Sequence, residues 1–470
     1  MTSIPVFTTS APSVPSASSV QVDSGAPRVE RVHLISLGCP KNRVDSEVMV
    51  GKLQQGAFEL VDDPESADVI VVNTCSFIQP ATEESIETVV EMGKLRRTGN
   101  VRKLVVTGCM VQRYGKSLEE ELPEVDHFLG TGEYHRIDEV LNNSSAPRSY
   151  VDTPLYIHGD TDPRPNSWSK HSAYLKISEG CDHKCAFCII PQLRGKMRSR
   201  SIPSLVAEAQ RLAEGGVVEV NLISQDSTAY GRDLADGTDL GKLLRALARI
   251  DGIRWIRLHY AYPIGLPESL LRAIAEEEKV VKYLDMPLQH ASGPMLKAMR
   301  RGVTRDGQER ILERVRRFVP DIAIRTTFIV GFPGETDADF AELMSFVERE
   351  RFSRVGVFTY FQEDGTPAAL LPGQVDDKIK NARQKELMAL QKGISKDLHR
   401  RMVKKTFDVL IDGPSKESEL LLSGRLATQA PDVDGQVFLQ SPPEDARAGQ
   451  IRRVLIRRAS AYDLVGEIVE

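Results

Sequence analysis

Ala173-Tyr174-Leu175-Lys176-Ile177-Ser178-Glu179-Gly180-Cys181-Asp182-His183-Lys184-Cys185-Ala186-Phe187-Cys188 is the stretch around which the chain is organised. Its first five residues form a short, mainly apolar run that reads as a strand. The strand runs into a loop carrying three cysteines at the spacing C-x3-C-x2-C. Three thiolates can hold three corners of an iron–sulfur cube. A 4Fe-4S cluster has four irons, so one iron is left without a protein ligand and is open to a small molecule.

Outward from this loop, residues 171 to about 365 alternate strand and helix patterns. The strands are Ala173–Ile177, Val218–Ile223, Trp255–His259, Tyr283–Met286, Ala323–Val330 and Val355–Tyr360. The helices include Ser204–Ala213, Leu240–Ala248, Glu268–Glu276, Glu309–Phe318 and Asp337–Glu348. Six strand–helix units of this kind predict an incomplete parallel barrel, with its site at the carboxyl ends of the strands. The cysteine loop follows the first strand, where such a site belongs.

Residues 30–145 alternate in the same way, with strands over Val32–Leu37, Val69–Val72 and Leu104–Val106 and helices over Val44–Gln55 and Ala81–Arg96. This predicts a second parallel sheet with crossover helices. Each strand runs into a cysteine, as Gly38-Cys39, Thr74-Cys75 and Gly108-Cys109. Ligands of open parallel sheets bind at the carboxyl ends of the strands, so three cysteines far apart in sequence are expected on one edge. Glycine before Cys39 and Cys109 suits close backbone approach to a bulky cofactor. Residues 146–170 hold Pro147, Pro154, Pro163 and Pro165 and read as a linker with a short strand or hairpin. Asp376–Lys405 reads as a long charged helix. Beyond it, Phe407–Ile411, Leu420–Leu426, Gln436–Leu439, Ile451–Ala459 and Leu464–Val469 predict a small OB-like barrel. From Lys404 to Glu470 there are nine Lys or Arg and eleven Asp or Glu, a net of -2.

The chain has 470 residues, room for about three domains of roughly 150 residues. Its net charge is -5 and its pI about 6.1, so it lacks the global basic field of a non-specific nucleic-acid binder. No apolar run of about 18 residues marks a transmembrane helix. Residues 1–29 are rich in Ser, Pro, Thr, Val and Ala and read as a disordered tail. A transit peptide is disfavoured there, because the first basic residue is Arg28. Without an export pattern the chain is expected in the cytoplasm, where six cysteines are better read as metal ligands than as disulfides. Buried structural thiols are the alternative.

Two other readings of the 181–188 loop are weaker. A non-enzymatic RNA-binding module would use structural zinc, which wants four ligands, and this loop offers three cysteines with His183 nearby. An electron carrier usually closes each cluster with four cysteines.

The chain resembles the radical S-adenosylmethionine methylthiotransferases, and within them the RimO branch, from about residue 30 to its end. The motifs are SLGCPKNRVDSE at 36–47, VNTCSFI at 72–78, TGCMVQRY at 107–114, ISEGCDHKCAFCIIPQLRGKMRSR at 177–200, RLHYAYP at 257–263, LDMPLQHAS at 284–292 and FIVGFPGET at 328–336. The resemblance implies an α/β chain of three parts. These are a flavodoxin-like parallel-sheet domain at 30–145, a partial (βα)6 radical domain at 171–404 and a C-terminal all-β TRAM barrel at 405–470. It implies two 4Fe-4S clusters, one on Cys181, Cys185 and Cys188 and one on Cys39, Cys75 and Cys109, facing one another across the domain interface. S-adenosylmethionine would chelate the open iron of the first and yield a 5′-deoxyadenosyl radical after one electron arrives from an unidentified donor. That radical would take a hydrogen from the β-carbon of an aspartate in small-subunit ribosomal protein S-twelve. The second cluster would deliver sulfur, and a second S-adenosylmethionine the methyl group.

Candidate cofactor-binding residues are Phe187 against adenine, Gln225 and Asp226 after the second barrel strand, and Gly331 and Glu335 where the family binds the adenosyl part. Loop packing for Phe187 and a helix cap for Glu335 are the plainer roles. His259 and His290 are expected to be hydrogen-bonded in the core or rim. Arg194, Lys196, Arg198 and Arg200 form either a solvated face or a grip on carboxylates. The sister branch acts on tRNA adenosine. An acidic chain with a net negative terminal barrel fits a basic ribosomal protein better than a polyanion, with no dedicated nucleic-acid grip.

Overall fold

The computed structural model describes residues 29–56, 58–99, 101–415, 417–418 and 421–469. The expected tail up to residue 28, and Leu420 at the start of one expected strand, lie outside the described residues. The chain forms two compact units. One ends at Trp168 and includes Gln192–Arg194; the other comprises Ser169–Pro191 and the chain from Gly195 onward.

The first unit is built on six strands: β1 (Arg31–Ser36), β2 (Glu59–Leu60), β3 (Val69–Thr74), β4 (Lys103–Gly108), β5 (His127–Leu129) and β6 (Ser149–Tyr150). Their order is β2-β1-β3-β4-β5-β6, with every neighbouring pair parallel. All six residues of β3 are buried, as expected of a strand covered on both faces. Alternate residues serve two cores. Val69, Val71 and Val105 pack with Val48, Met49 and Leu53 on one side. Ile70, Val72 and Val106 pack with Val89, Met92 and Met110 on the other. The strand order reverses between β1 and β3, the switch point at which flavodoxin-like sheets open a crevice.

The supposed linker is mostly part of this unit. Residues Ser149–Tyr150 pair with β5 at the sheet edge. The buried Glu47 carboxylate accepts from Arg164 at 2.8 Å and from the Ser167 amide at 3.0 Å. Proline and glycine removed regular structure from this segment without removing its packing.

The second unit begins with β7 (Ser172–Lys176), β8 (Ser178–Glu179) and β9 (Arg198–Ser199). It continues with β10 (Glu219–Ile223), β11 (Trp255–Leu258), β12 (Val280–Asp285), β13 (Ala323–Val330) and β14 (Arg354–Thr359). Strands β7 and β10–β14 form one open parallel sheet in sequence order, the expected partial barrel. Leu175, Val220, Leu222, Ile256, Leu284 and Phe328 meet the covering helices. The intervening positions carry a hydrogen-bonded polar layer. Ser172 donates to Glu219 at 2.8 Å, Asn221 to Ser172 at 3.1 Å, and Arg325 to Asp285 at 2.9 Å.

After a helix over Asp377–Arg400 come β15 (Thr406–Pro414), β16 (Leu422–Leu426), β17 (Val437–Leu439), β18 (Ile451–Ala459) and β19 (Leu464–Ile468), which close a small barrel. It docks on the polar layer. Glu219 sits wholly buried between Arg257 at 2.9 Å and Arg425 of β16 at 2.8 Å. Arg425 also meets Asp412, Tyr174 donates to Asp432, and Asp434 faces Arg325 at 3.7 Å. Three acids of the small barrel thus meet charged or polar partners there: the Asp434 side chain is buried, Asp412 is half-buried and Asp432 is exposed. Burial alone would push the Glu219 carboxyl up; the Arg425 and Arg257 guanidiniums outweigh it and hold it well below the usual carboxylate range.

Glu219→Gln strands two buried guanidiniums, and we expect a loss of about 3–5 kcal/mol in unfolding free energy by urea titration. A loss below about 1 kcal/mol, the worth of an exposed pair, contradicts this. His399, whose Nδ1 lies 3.2 Å from the Ser460 carbonyl, is pushed down to about 4 by burial and by Arg354. Its unfolded value is about 6.5. Its contribution is complete above pH 6.5 and is lost as pH falls toward 4, because the unfolded chain binds the proton first. His399→Gln should flatten that part of the stability–pH curve; an unchanged slope refutes the assignment.

Candidate metal centres and cofactor rim

Cys39 caps the helix Pro40–Gln55 after β1, Cys75 follows β3, and Cys109 opens the helix Cys109–Tyr114 after β4. Parallel pairing brings the three strand ends to one edge. Gly38 has φ +89, and a Cβ there would lie 2.7 Å from Cys75 Cβ and 2.9 Å from its sulfur. Gly108 has φ +99 and no room beside the Thr74 carbonyl. The glycines therefore let neighbouring strand ends pack against each other. Asn42 locks the edge, donating to Leu37 O at 3.0 Å and Thr74 O at 2.8 Å. Ser85 accepts from the Cys75 amide and donates to its carbonyl. Arg194 is buried in this unit. It donates to Asp45 at 2.6 Å and to Asn42, and its Nη2 lies 3.6 Å from Cys109 Sγ.

Burial pushes the Cys75 thiol up to about 12, with Cys109 and Cys39 adding to the effect. Burial raises Cys109 as well, against the opposing pull of Arg194. Two buried thiols with the half-buried Cys39 beside them form a donor set whose thiolates would need positive charge among them, which suits iron. All six cysteines of the chain are unpaired. Among the described residues no three Cys, His, Asp or Glu side chains are drawn together at the spacing of a single metal ion. An iron–sulfur cube is a larger body, with its thiolates at the outer corners.

In the second unit, Cys181, Cys185 and Cys188 lie in a loop whose base is the antiparallel pair β8–β9. The Cys181 amide donates to Gly195 O at 3.1 Å, and the Ala186 amide to Met299 O at 3.0 Å. Burial pushes Cys181 up to about 11 and Cys188 up to about 12. Arg301 Nη1 stands 3.4 Å from Cys185 Sγ and its guanidinium lies 4.2 Å over the Tyr262 ring. Tyr262 stacks on His183 at 3.7 Å, and His183 meets Asp226 at 2.7 Å.

The other expected residues fall as follows. Phe187 packs among Ala186, Met295, Met299, Phe332 and Tyr360. Asp226 is taken up by His183 and by the Thr228 amide. Gln225 donates to Glu179, whose other carboxylate oxygen accepts from Lys176 at 2.8 Å. Buried Gln225 Oε1 and Ser178 Oγ meet no partner among the described residues, which suits a polar ligand at this rim. Gly331 has φ +72, and a Cβ there would collide with Lys380. Glu335 caps no helix: Thr336 does so, in a capping box with Asp339. Glu335 instead accepts from the Gly331 amide and meets His290 and Arg383, each at 3.3 Å. His259 is hydrogen-bonded to Asn221 and His290 to Glu335, the expected core roles. The basic run is no single solvated face. Arg194 and Arg200 are buried, the latter against Glu208, while Lys196 is exposed.

Sequence reasoning missed Asn42, Asp45, Tyr262 and Arg301. Asn42 and Asp45 stand three apart on the helix that Cys39 caps, a spacing that puts them on one face. Arg301 carries no such signal.

Three family models match the chain: "Uncharacterized protein family UPF0004" over residues 31–130, "Radical SAM superfamily" over 175–347 and "TRAM domain" over 403–469. With the cysteine loop after the first barrel strand, they define a radical S-adenosylmethionine enzyme with an N-terminal parallel-sheet unit and a terminal β-barrel. Full-length relatives narrow this. The ribosomal protein uS12 methylthiotransferase RimO of Anaeromyxobacter sp. (strain K) is 52% identical over 439 residues, 93% of each chain. That of Geobacter sulfurreducens is 48% identical over 443 residues, 94% of this chain and 99% of the relative. The chain belongs to the RimO family of uS12 methylthiotransferases. Among solved structures, the radical S-adenosylmethionine methyltransferase TsrM of Kitasatospora setae matches with a TM-score of 0.52 at 16% identity, covering 73% of this chain and 77% of that one. OxsB, a cobalamin-dependent radical enzyme, matches at 0.51 and 13%, covering 77% and 56%. At these identities the likeness concerns fold alone.

Gly38→Ala both strains the backbone and drives a methyl group into Cys75. Anaerobically reconstituted Gly38→Ala protein should hold fewer irons than the wild type, by up to about four per chain, one cube's content. Iron equal to wild type contradicts the placement of Cys39 and Cys75 on one metal body.

Proposed function

We propose that this protein methylthiolates the β-carbon of an aspartate in ribosomal protein uS12, holding two 4Fe-4S clusters on two cysteine triads. The triad at the carboxyl edge of β1, β3 and β4 carries the proposal. A sheet unit that merely supported a radical domain would need no three unpaired cysteines on one edge. When bound, the Cys181, Cys185 and Cys188 cluster with S-adenosylmethionine supplies a one-electron route to a carbon-centred radical, and the second cluster supplies sulfur.

The chain's own residues do the rest. Arg301 and the Tyr262–His183–Asp226 stack fix the radical loop. Gln225 and Ser178 carry buried polar atoms that would serve the cofactor, Glu179 and Lys176 hold Gln225 in place, and Phe187 packs in a separate apolar cluster with Met295, Met299 and Phe332. Gly331 and Glu335 shape the wall after β13 and support the rim through His290. A ribosomal substrate places the protein in the cytoplasm. No helix among the described residues is long and apolar enough to cross a membrane.

The small barrel bears on substrate choice through charge matching rather than net charge. Arg452, Arg453 and Arg457 of β18 pair with Asp445, Asp408 and Glu467, so three of the four arginines of that strand are charge-matched rather than open to a phosphate backbone. This favours a protein over tRNA. Assays run in parallel on purified uS12 and on tRNA, read by mass, should show methylthio addition on the protein alone. Addition on tRNA adenosine alone would overturn the substrate. Separately, replacing Cys181, Cys185 and Cys188 by alanine should lower reconstituted iron from about eight to about four per chain. A fall to zero would show that the two triads do not hold independent clusters.

A further inference from the structure

Arg194 is out of place by sequence. It lies six residues beyond Cys188, in the stretch that follows the radical loop, yet Gln192–Arg194 belong to the N-terminal unit. Its side chain is almost wholly buried, at 2% exposure. The guanidinium reaches three groups on that unit's cysteine edge: the Asp45 carboxylate at 2.6 Å, the Asn42 amide oxygen, and Cys109 Sγ at 3.6 Å. The neighbouring Leu193 carbonyl accepts from Thr131 Oγ1 of the same unit, so the segment is held at two consecutive residues. A buried arginine with one carboxylate partner would satisfy charge alone. This one also directs an N–H at a sulfur, and Asn42, the oxygen it shares, is the side chain that ties the ends of β1 and β3 together.

We propose that Arg194 is a positioning residue for the N-terminal cluster, directing its charge at the Cys109 thiolate and setting that cluster's reduction potential, with Asp45 as the counterweight. Cysteines 39, 75 and 109 are taken here, as above, to be the ligands of a cluster. Hydrogen bonds to cluster sulfurs and nearby charge shift cluster potentials. Reduction adds negative charge, so a cation at Cys109 favours the reduced form and an anion disfavours it. Arg194 and Asp45 therefore pull in opposite directions. The arrangement also makes the radical-loop sequence supply a polar contact to the other cluster, so the two sites are specified by one stretch of chain.

The test uses the full chain with Cys181, Cys185 and Cys188 replaced by alanine, reconstituted anaerobically so that the N-terminal cluster is the one observed. Potentiometric titration is followed by electron paramagnetic resonance. Arg194→Gln should move the midpoint to more negative potential, Asp45→Asn to more positive potential, and Arg194→Lys should return most of the way to the parent value. A purely structural role would lower the thermal midpoint of unfolding in both neutral variants without moving the potentials oppositely. Unchanged potentials, or shifts of the same sign, overturn the proposal. Should Arg194→Gln take up no iron, Asp45→Asn decides: a midpoint equal to the parent overturns the proposal and a positive shift sustains it. A parent that itself holds no iron would overturn the cluster reading instead, so the two failures are distinguishable.

Discussion

In a parallel sheet every strand leaves from the same edge. That constraint carries most of the architecture described here. It lets Cys39, Cys75 and Cys109 share one edge although more than thirty residues separate each from the next. It also sets the Cys181–Cys188 loop and the residues after β10, β12 and β13 on one rim of the partial barrel. Distances along the chain cease to matter once hydrogen-bonded register has been set, as it is residue by residue between β1, β3 and β4. The proposed chemistry needs cysteines grouped in threes, and topology can group them.

A second layer of organisation is ionic and buried. Each cysteine triad has one arginine beside one sulfur, Arg194 at Cys109 and Arg301 at Cys185. Each arginine is itself held, by Asp45 in one case and by the Pro287 carbonyl and the Tyr262 ring in the other. The same economy of buried charge joins the small barrel to the partial barrel, where Glu219 lies between Arg257 and Arg425. Such clusters add little net stability over an apolar contact, but they are intolerant of losing one member. They fix which surfaces meet.

The long elements were legible in sequence. β13, the helices Leu240–Ala248 and Glu268–Glu276, and strand β18 fall where periodicity placed them. β2 and β5 were not, because two or three residues show no period and they surface only when paired with a neighbour, whereas β6 is the short strand expected in the proline-rich stretch. The proline-rich stretch before Trp168 misled because composition reports regular structure rather than packing; Glu47 binds it from more than a hundred residues away. The six cysteines were visible from their spacing and from the strands ahead of them. The glycines before Cys39 and Cys109 are plain in the sequence, but that Gly38 makes room for Cys75 follows only from the pairing of β1 with β3. Arg194 looked like part of a charged surface because its partners, Asp45 and Cys109, are distant in sequence. The acidic count of the terminal barrel overstated its free charge, since Asp434 is buried against Arg325, Asp412 is paired with Arg425 and Asp432 accepts from Tyr174.

The central claim is that two separate cysteine triads each hold an iron–sulfur cube with one iron left open. Anomalous diffraction at the iron edge, from crystals of the anaerobically reconstituted protein, tests it most directly. The account predicts two compact iron peaks, one bonded to the sulfurs of Cys39, Cys75 and Cys109 and the other to those of Cys181, Cys185 and Cys188, each with an iron that no side chain ligates. A single peak, or a peak closed by a fourth protein ligand at either triad, would contradict it.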